Sequence, residues 1–146
     1  MDHAAVMTSC GQKARRLGIA SLSEVERAIA LANWADFEIA NGGLWQFYYN
    51  SGGNNAAETV DALRVIGTDR AADGLKAANA LFPGGSPPRD REQRFRSLQR
   101  LSESPGNPLD QLTCEFYRQT PDIFTRLEAY LDAHADELRE HEPRDP

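Results

Sequence analysis

Few residues in this chain have the type and spacing that chemistry requires. His134, Glu137 and His141 fall at i, i+3 and i+7, which on one continuous helix would line up three potential metal ligands. Zinc and iron sites of this kind draw ligands from a second element as well, and no such partner motif stands in the sequence. Cys114 with a distant histidine could form a nucleophile pair, but two cysteines and three histidines supply that combination by chance. Asp36 and Glu38 are two positions apart, so on a helix they point in different directions and make a poor acid–base pair. The sequence has no glycine-rich phosphate loop, no Gly-x-Ser-x-Gly and no His-Glu-x-x-His. These readings call for no catalytic residue, metal or cofactor.

Two other groups could bind rather than catalyse. Glu128, Asp132 and Asp136 recur every fourth residue, and Glu140 extends the row if the helix persists. At a rise of 1.5 Å per residue this places one carboxylate about every 6 Å, whereas duplex DNA carries one charge per about 3.4 Å on each strand. One helix is therefore too sparse to imitate a strand. Glu115 and Asp122, with Asp110, would have to lie nearby, or a homodimer would have to double the surface. The second group is Asn41-Gly42-Gly43-Leu44-Trp45-Gln46-Phe47-Tyr48-Tyr49-Asn50. Its glycines allow a sharp reversal and a close backbone approach. Its aromatics supply a large buried area, and Gln46 could satisfy backbone groups freed at the turn. A partly exposed Trp45, Tyr48 and Tyr49 patch gripping a ligand or a protein is the functional alternative.

Helices must position these groups. Ser21-Leu22-Ser23-Glu24-Val25-Glu26 contains a capping box that starts a helix, with Glu24 or Glu26 returning the bond. Leu22, Val25, Ile29, Ala32 and Ile39 follow helical spacing. Leu31, Trp34 and Phe37 fall elsewhere on the wheel, so more than one side is covered. Asn41-Gly42-Gly43 should stop this helix, and with no partner strand in view the aromatic run reads as a second, short helix. Asn55, with Glu58, caps a further helix that Gly67 ends. Thr68 or Asp69 begins another that runs towards Phe82. Pro83 to Pro88 is a loop, and Arg89 to Leu101 is a polar helical segment with Phe95, Leu98 and Leu101 as its apolar stripe. Asn107-Pro108 and Thr120-Pro121 each place a cap before a proline at the first helical position.

The reading is all-α: a single compact domain of about six to seven helices over 21–140. Residues 1–20 form a flexible N-terminal segment, and 141–146 a disordered tail.

The 146 residues suit one domain. Sixteen basic and 22 acidic side chains give a net charge of −6, which argues against direct, non-specific binding to nucleic acid. The acidity is uneven: residues 101–146 hold four basic and eleven acidic side chains, net −7, while residues 51–100 are net +2. An acidic terminal third suits docking onto a basic protein. Five arginines between Arg89 and Arg100 offer a lesser alternative for an acidic partner. No apolar stretch is long enough for a membrane helix, and no secretory signal is evident. With only two cysteines the expected compartment is the reducing cytoplasm.

The Asn-Gly-Gly segment, closed by Asn50-Ser51-Gly52-Gly53, resembles the hallmark of a bacterial family catalogued as domain of unknown function 4375. The family pattern is Asn-Gly-Gly, an apolar residue, any residue, Gln-Phe, two residues, then Asn-Ser and glycine. Agreement continues in Glu58-Thr59-Val60, Ala62-Leu63, Ile66-Gly67, Ala77 to Pro83, and Leu112 to Tyr117, over about residues 24–132. The resemblance marks Asn41, Gly42, Gly43, Gln46, Phe47 and Asn50 as family residues and implies a helical fold. The family's best-known member is an acidic, dimeric DNA mimic that occupies the DNA-binding surface of a transcription factor. The resemblance and the −7 terminal third together point to a non-enzymatic protein-binding module, with Glu128, Asp132, Asp136, Glu115 and Asp122, read from the charge pattern, as its acidic face. A small-ligand or enzymatic site at the Asn-Gly-Gly segment is the alternative.

Overall fold

Ser23 and Glu26 begin the central helix as a reciprocal pair. The Ser23 hydroxyl accepts from the Glu26 N–H at 3.2 Å, and the Glu26 carboxylate accepts from the Ser23 N–H at 3.0 Å. A computed structural model of the chain describes residues 1–119 and 122–140. Its helices are α1 (His3–Leu17), α2 (Glu24–Tyr49), α3 (Ala56–Val65), α4 (Asp69–Asn79), α5 (Arg91–Glu103), α6 (Pro108–Gln119), α7 (Ile123–Ala133) and α8 (Ala135–Glu140). Among the described residues there is no strand, and the all-α reading holds. None of these helices is long and apolar enough to cross a membrane.

α2 is the hub, because Ala28 to Ala32, Ala35 and Ile39 leave almost no side of it polar. A helix apolar on most of its circumference must be surrounded. It packs against α1, α3, α5, α6 and α7. Leu63, Leu75, Leu98, Leu109, Leu127 and Leu131 close the core around it. Asn107 caps α6 as its sequence suggests, accepting from the Asp110 N–H at 3.3 Å. Asn55 makes no side-chain cap on α3, and Glu58 turns instead to Arg89. The Thr120-Pro121 cap lies outside the described residues, as does the expected disordered tail at 141–146.

The flexible N-terminal segment expected at 1–20 is instead a docked helix. Asp2 caps α1 by accepting from the Ala5 N–H at 3.1 Å, and Met7, Cys10, Gly11 and Ala14 are buried. These four recur at i, i+3, i+4 and i+7, a narrow stripe of mostly small residues that lets the helix approach α2 closely. A Cβ built on Gly11 would stand 3.1 Å from the Trp34 indole nitrogen. The stripe has helical spacing but little hydrophobicity, which is why composition hides it.

Candidate functional site

The Asn-Gly-Gly segment is a break inside α2. Gly43 has φ +70° and ψ −171°, outside the helical region, and Gly42 departs with it. A break of this kind strands carbonyls before it and N–H groups after it. Two hydroxyls of α6, one turn apart, satisfy them. Thr113 Oγ1 accepts from the Leu44 N–H at 3.2 Å, and the Tyr117 hydroxyl donates to the Ile39 carbonyl. The Thr113 hydroxyl itself donates to the Leu109 carbonyl at 2.9 Å. Space also demands glycine here. A Cβ on Gly43 would come within 2.8 Å of Thr113 Cγ2, and one on Gly42 within 2.1 Å of Gln46 Oε1.

The freed backbone groups that Gln46 could serve are met from α6 instead. The Gln46 amide donates to the Glu38 carboxylate at 2.7 Å, and the Asn50 amide donates to the same oxygen at 2.8 Å. Asn41 donates to the Phe37 carbonyl at 2.8 Å. Phe47 and Tyr48 are fully buried. The Tyr48 hydroxyl donates to Asn79 Oδ1 at 2.6 Å, and burial pushes its phenol well above the ordinary range. Tyr48 is therefore no part of an exposed aromatic patch. Trp45 and Tyr49 are half-buried and stacked, with ring centres 4.9 Å apart and Arg91 over the Tyr49 ring at 4.8 Å.

Arg94, on α5, locks the far end of the segment and is wholly buried. Its Nε donates to the Tyr48 carbonyl. Nη1 donates to those of Pro88 and Arg89, and Nη2 to the Asn50 carbonyl and Asn54 Oδ1. All five guanidinium donors are thus spent on neutral oxygens, and burial lowers its pKa. A Cβ on Gly53 would stand 2.4 Å from Arg94 Nε, so the glycine of Asn50-Ser51-Gly52-Gly53 makes room for the guanidinium. The arginine segment is accordingly a weak docking strip. Arg89 pairs with Glu58, Arg96 with Glu92, Arg91 lies on Tyr49, and Arg94 is internal.

The acidic candidates do not form one row. Glu128 and Asp132 share a partner from α1: His3 Nε2 lies 2.7 Å from Asp132 and Nδ1 3.4 Å from Glu128. Those two contacts, Asp132 first, raise the His3 pKa above its ordinary value. The helix stops at Ala133, so Asp136 sits on a separate helix, α8, where it pairs with Arg139 at 3.2 Å. Asp122, ahead of α7, pairs with Arg126 at 3.7 Å. Glu115 lies on α6 in the wall of a shallow hollow of about 470 Å3, with Asp110, Gln111, Cys114 and Arg118. A larger hollow of about 1010 Å3 runs between α1 and α8. Both lie away from the Asn-Gly-Gly segment. The same break at Ala133 separates His134 from Glu137. His134 Nδ1 meets the Tyr130 carbonyl at 2.9 Å, and His141 and the Glu140 side chain lie outside the described residues. Among the described residues no group of three or more His, Cys, Asp or Glu is placed to hold a metal ion.

The chain belongs to the DMP19-like protein family, whose model matches residues 20–134. That stretch contains the glycine break, its α6 clamp and the α7 carboxylates, and it leaves α1 and α8 outside. No curated protein and no solved structure matches the chain.

Proposed function

We propose that this DMP19-like protein acts by binding a basic protein through the acidic surface of α6, α7 and α8, as a DNA mimic would, and not by catalysis. The observation that carries this reading is the net charge of −7 on residues 101–146, together with the exposure of Asp122, Asp132 and Asp136. The side chains of Asp132 and Asp136 are 68% and 98% exposed. The interior supports it from the other side. Gln46 and Asn50 both donate to Glu38, and Arg94 and Tyr48 are spent on internal oxygens. The Asn-Gly-Gly segment thus reads as the device that bends α2, and it offers little to a small ligand. Two free cysteines, one of them exposed, suit a reducing cytoplasm.

Glu128 and Asp132 are one turn apart, and the break after Ala133 turns the chain before Asp136. The carboxylates are thus divided between two helices instead of forming one row, and they act on a partner as a summed field. Such a field steers a basic partner and is screened by salt within about 10 Å at 0.1 M. A homodimer would double it. The test is capture of proteins from native lysate by the tagged chain at 50 mM and 500 mM salt, with duplex DNA as competitor. A DNA-binding protein held at low salt, released at high salt and displaced by DNA is the expected result. Capture indifferent to both salt and DNA would refute the acidic surface as the docking face.

A further inference from the structure

α1 lies outside the matched stretch, yet charge ties both its ends to the family core. At its C-terminal end Lys13 meets Glu26 at 2.6 Å, and Glu26 is the buried member of the α2 capping box. At its N-terminal end His3 faces Asp132 and Glu128. Between these clips α1 fully buries Met7, Cys10, Gly11 and Ala14, of which Met7 alone is large, with Val6 half-buried beside them and Arg15 over the Trp34 ring. A helix with so little apolar burial depends on its end contacts and belongs to the part of a fold that opens first.

We propose that α1 is a pH-sensitive strap: docked, its His3 occupies Asp132 and Glu128 and withholds them from a basic partner; released, it makes them available. This rests on the acidic-surface reading above and adds its regulation.

The chemistry follows from the two ring nitrogens. Only the imidazolium donates from both, and so only it can face two carboxylates at once. The neutral ring turns an acceptor lone pair toward one of them. The charged groups acting on His3 are Asp132 and Glu128 of α7. Asp2, beside it on its own element, is engaged by the Ala5 N–H, and on α2 the charged group gripping α1 is Glu26, at the Lys13 end. Because the folded-state pKa of His3 is raised, its contribution to docking is complete below the ordinary value of 6.5. It is lost as pH rises through the higher folded value. The strap is therefore closed in mild acid and loosens as pH rises.

The test uses the full chain and a fluorescein-labelled deca-lysine peptide as the basic probe, read by anisotropy at low salt from pH 6 to 8.5. Wild type should bind the probe several-fold more tightly at pH 8.5 than at pH 6. His3→Ala should bind tightly at both ends of the range, and His3→Arg, charged throughout, weakly at both. Opening of α1 is read independently by maleimide labelling of the buried Cys10 at pH 6.5, where the wild-type strap is closed, in a Cys114→Ser background. Labelling should be several-fold faster in His3→Ala than in wild type, and no faster in His3→Arg. Equal labelling in all three chains overturns the strap. Labelling that follows residue 3 while probe binding does not overturns the masking role. Partner capture that survives charge reversal at Asp122 and Asp136 defeats the acidic-surface reading itself, whatever α1 does.

Discussion

Gly43 concentrates the constraints on the bend in α2. Its φ of +70° is a conformation that an L side chain rarely adopts, and its missing Cβ leaves room for Thr113. Gly43→Ala should therefore cost about 2–4 kcal/mol in urea unfolding, adding the backbone strain to a displaced α6. Thr113→Ser keeps the hydroxyl that accepts from Leu44 and removes the clashing methyl. In that background the Gly43→Ala penalty should shrink by at least about 0.5 kcal/mol. Strict additivity would show that space at Thr113 is not what excludes a side chain. Arg94 is the second keystone. Arg94→Met takes the donor from five oxygens, of which the Asn50 carbonyl still accepts from the Gly53 N–H, so a loss of about 3 kcal/mol is expected. Lysine, with three donors on a point charge, should recover less than half of it, by the same measurement. Arg94 was legible after a fashion, since it precedes Leu98 by four and Leu101 by seven and so falls in register with the apolar stripe of α5. An arginine among four others reads as surface until its partners are seen, and those partners are carbonyl oxygens, which no sequence pattern marks. Thr113 and Tyr117 were hidden for the same reason. Their spacing of four is ordinary on any helix, and only the position of the glycine break opposite gives it meaning.

At the level of elements, the starts of α2 and α6 and the break at Asn41-Gly42-Gly43 were legible because caps and glycines act locally. α1 was not, since its stability comes from close approach to Trp34 and from two distant ionic clips, all of them tertiary. The break between α7 and α8 escaped for another reason: the stripe Leu127, Leu131, Leu138 continues across it, and no glycine or proline announces it. The contacts of Glu26 can be separated by substitution. Ser23→Ala removes one cap bond and should cost about 1 kcal/mol in thermal unfolding. Glu26→Ala removes the reciprocal cap and the Lys13 contact together, leaving a half-buried ammonium near the hydrophobic base of α1. Its cost should be clearly larger, about 2–3 kcal/mol. Faster Cys10 labelling should accompany it, since that thiol, pushed up to a pKa of about 11 by burial and then by the Glu26 charge, gains from both the opening of α1 and the loss of that charge. Equal costs for the two variants would mean that Lys13 does nothing to hold the helix down.

The whole molecule joins an internally satisfied core to an uneven surface charge, and the two can be separated by experiment. Asp122 and Asp136 pair with Arg126 and Arg139 at 3.7 Å and 3.2 Å, on surfaces more than half exposed. Surface pairs of this kind contribute about 0–1 kcal/mol each. Against that small loss, replacing either aspartate by lysine relieves repulsion within a terminal third of net charge −7. The double variant Asp122→Lys with Asp136→Lys should therefore melt within about 3 °C of wild type. These two positions are also cleaner probes than Glu128 and Asp132, whose reversal would set a lysine against His3 and disturb α1 along with the surface. Binding has no such compensation, because each reversal exchanges an attraction to a basic partner for a repulsion across the same interface. Capture at 50 mM salt should fall at least about tenfold in the double variant, and the residual binding should lose most of its salt dependence. An unchanged melting temperature with lost capture would assign these acids to the partner. A large drop in melting temperature would instead make them structural, and undisturbed capture would move the docking face elsewhere on the molecule.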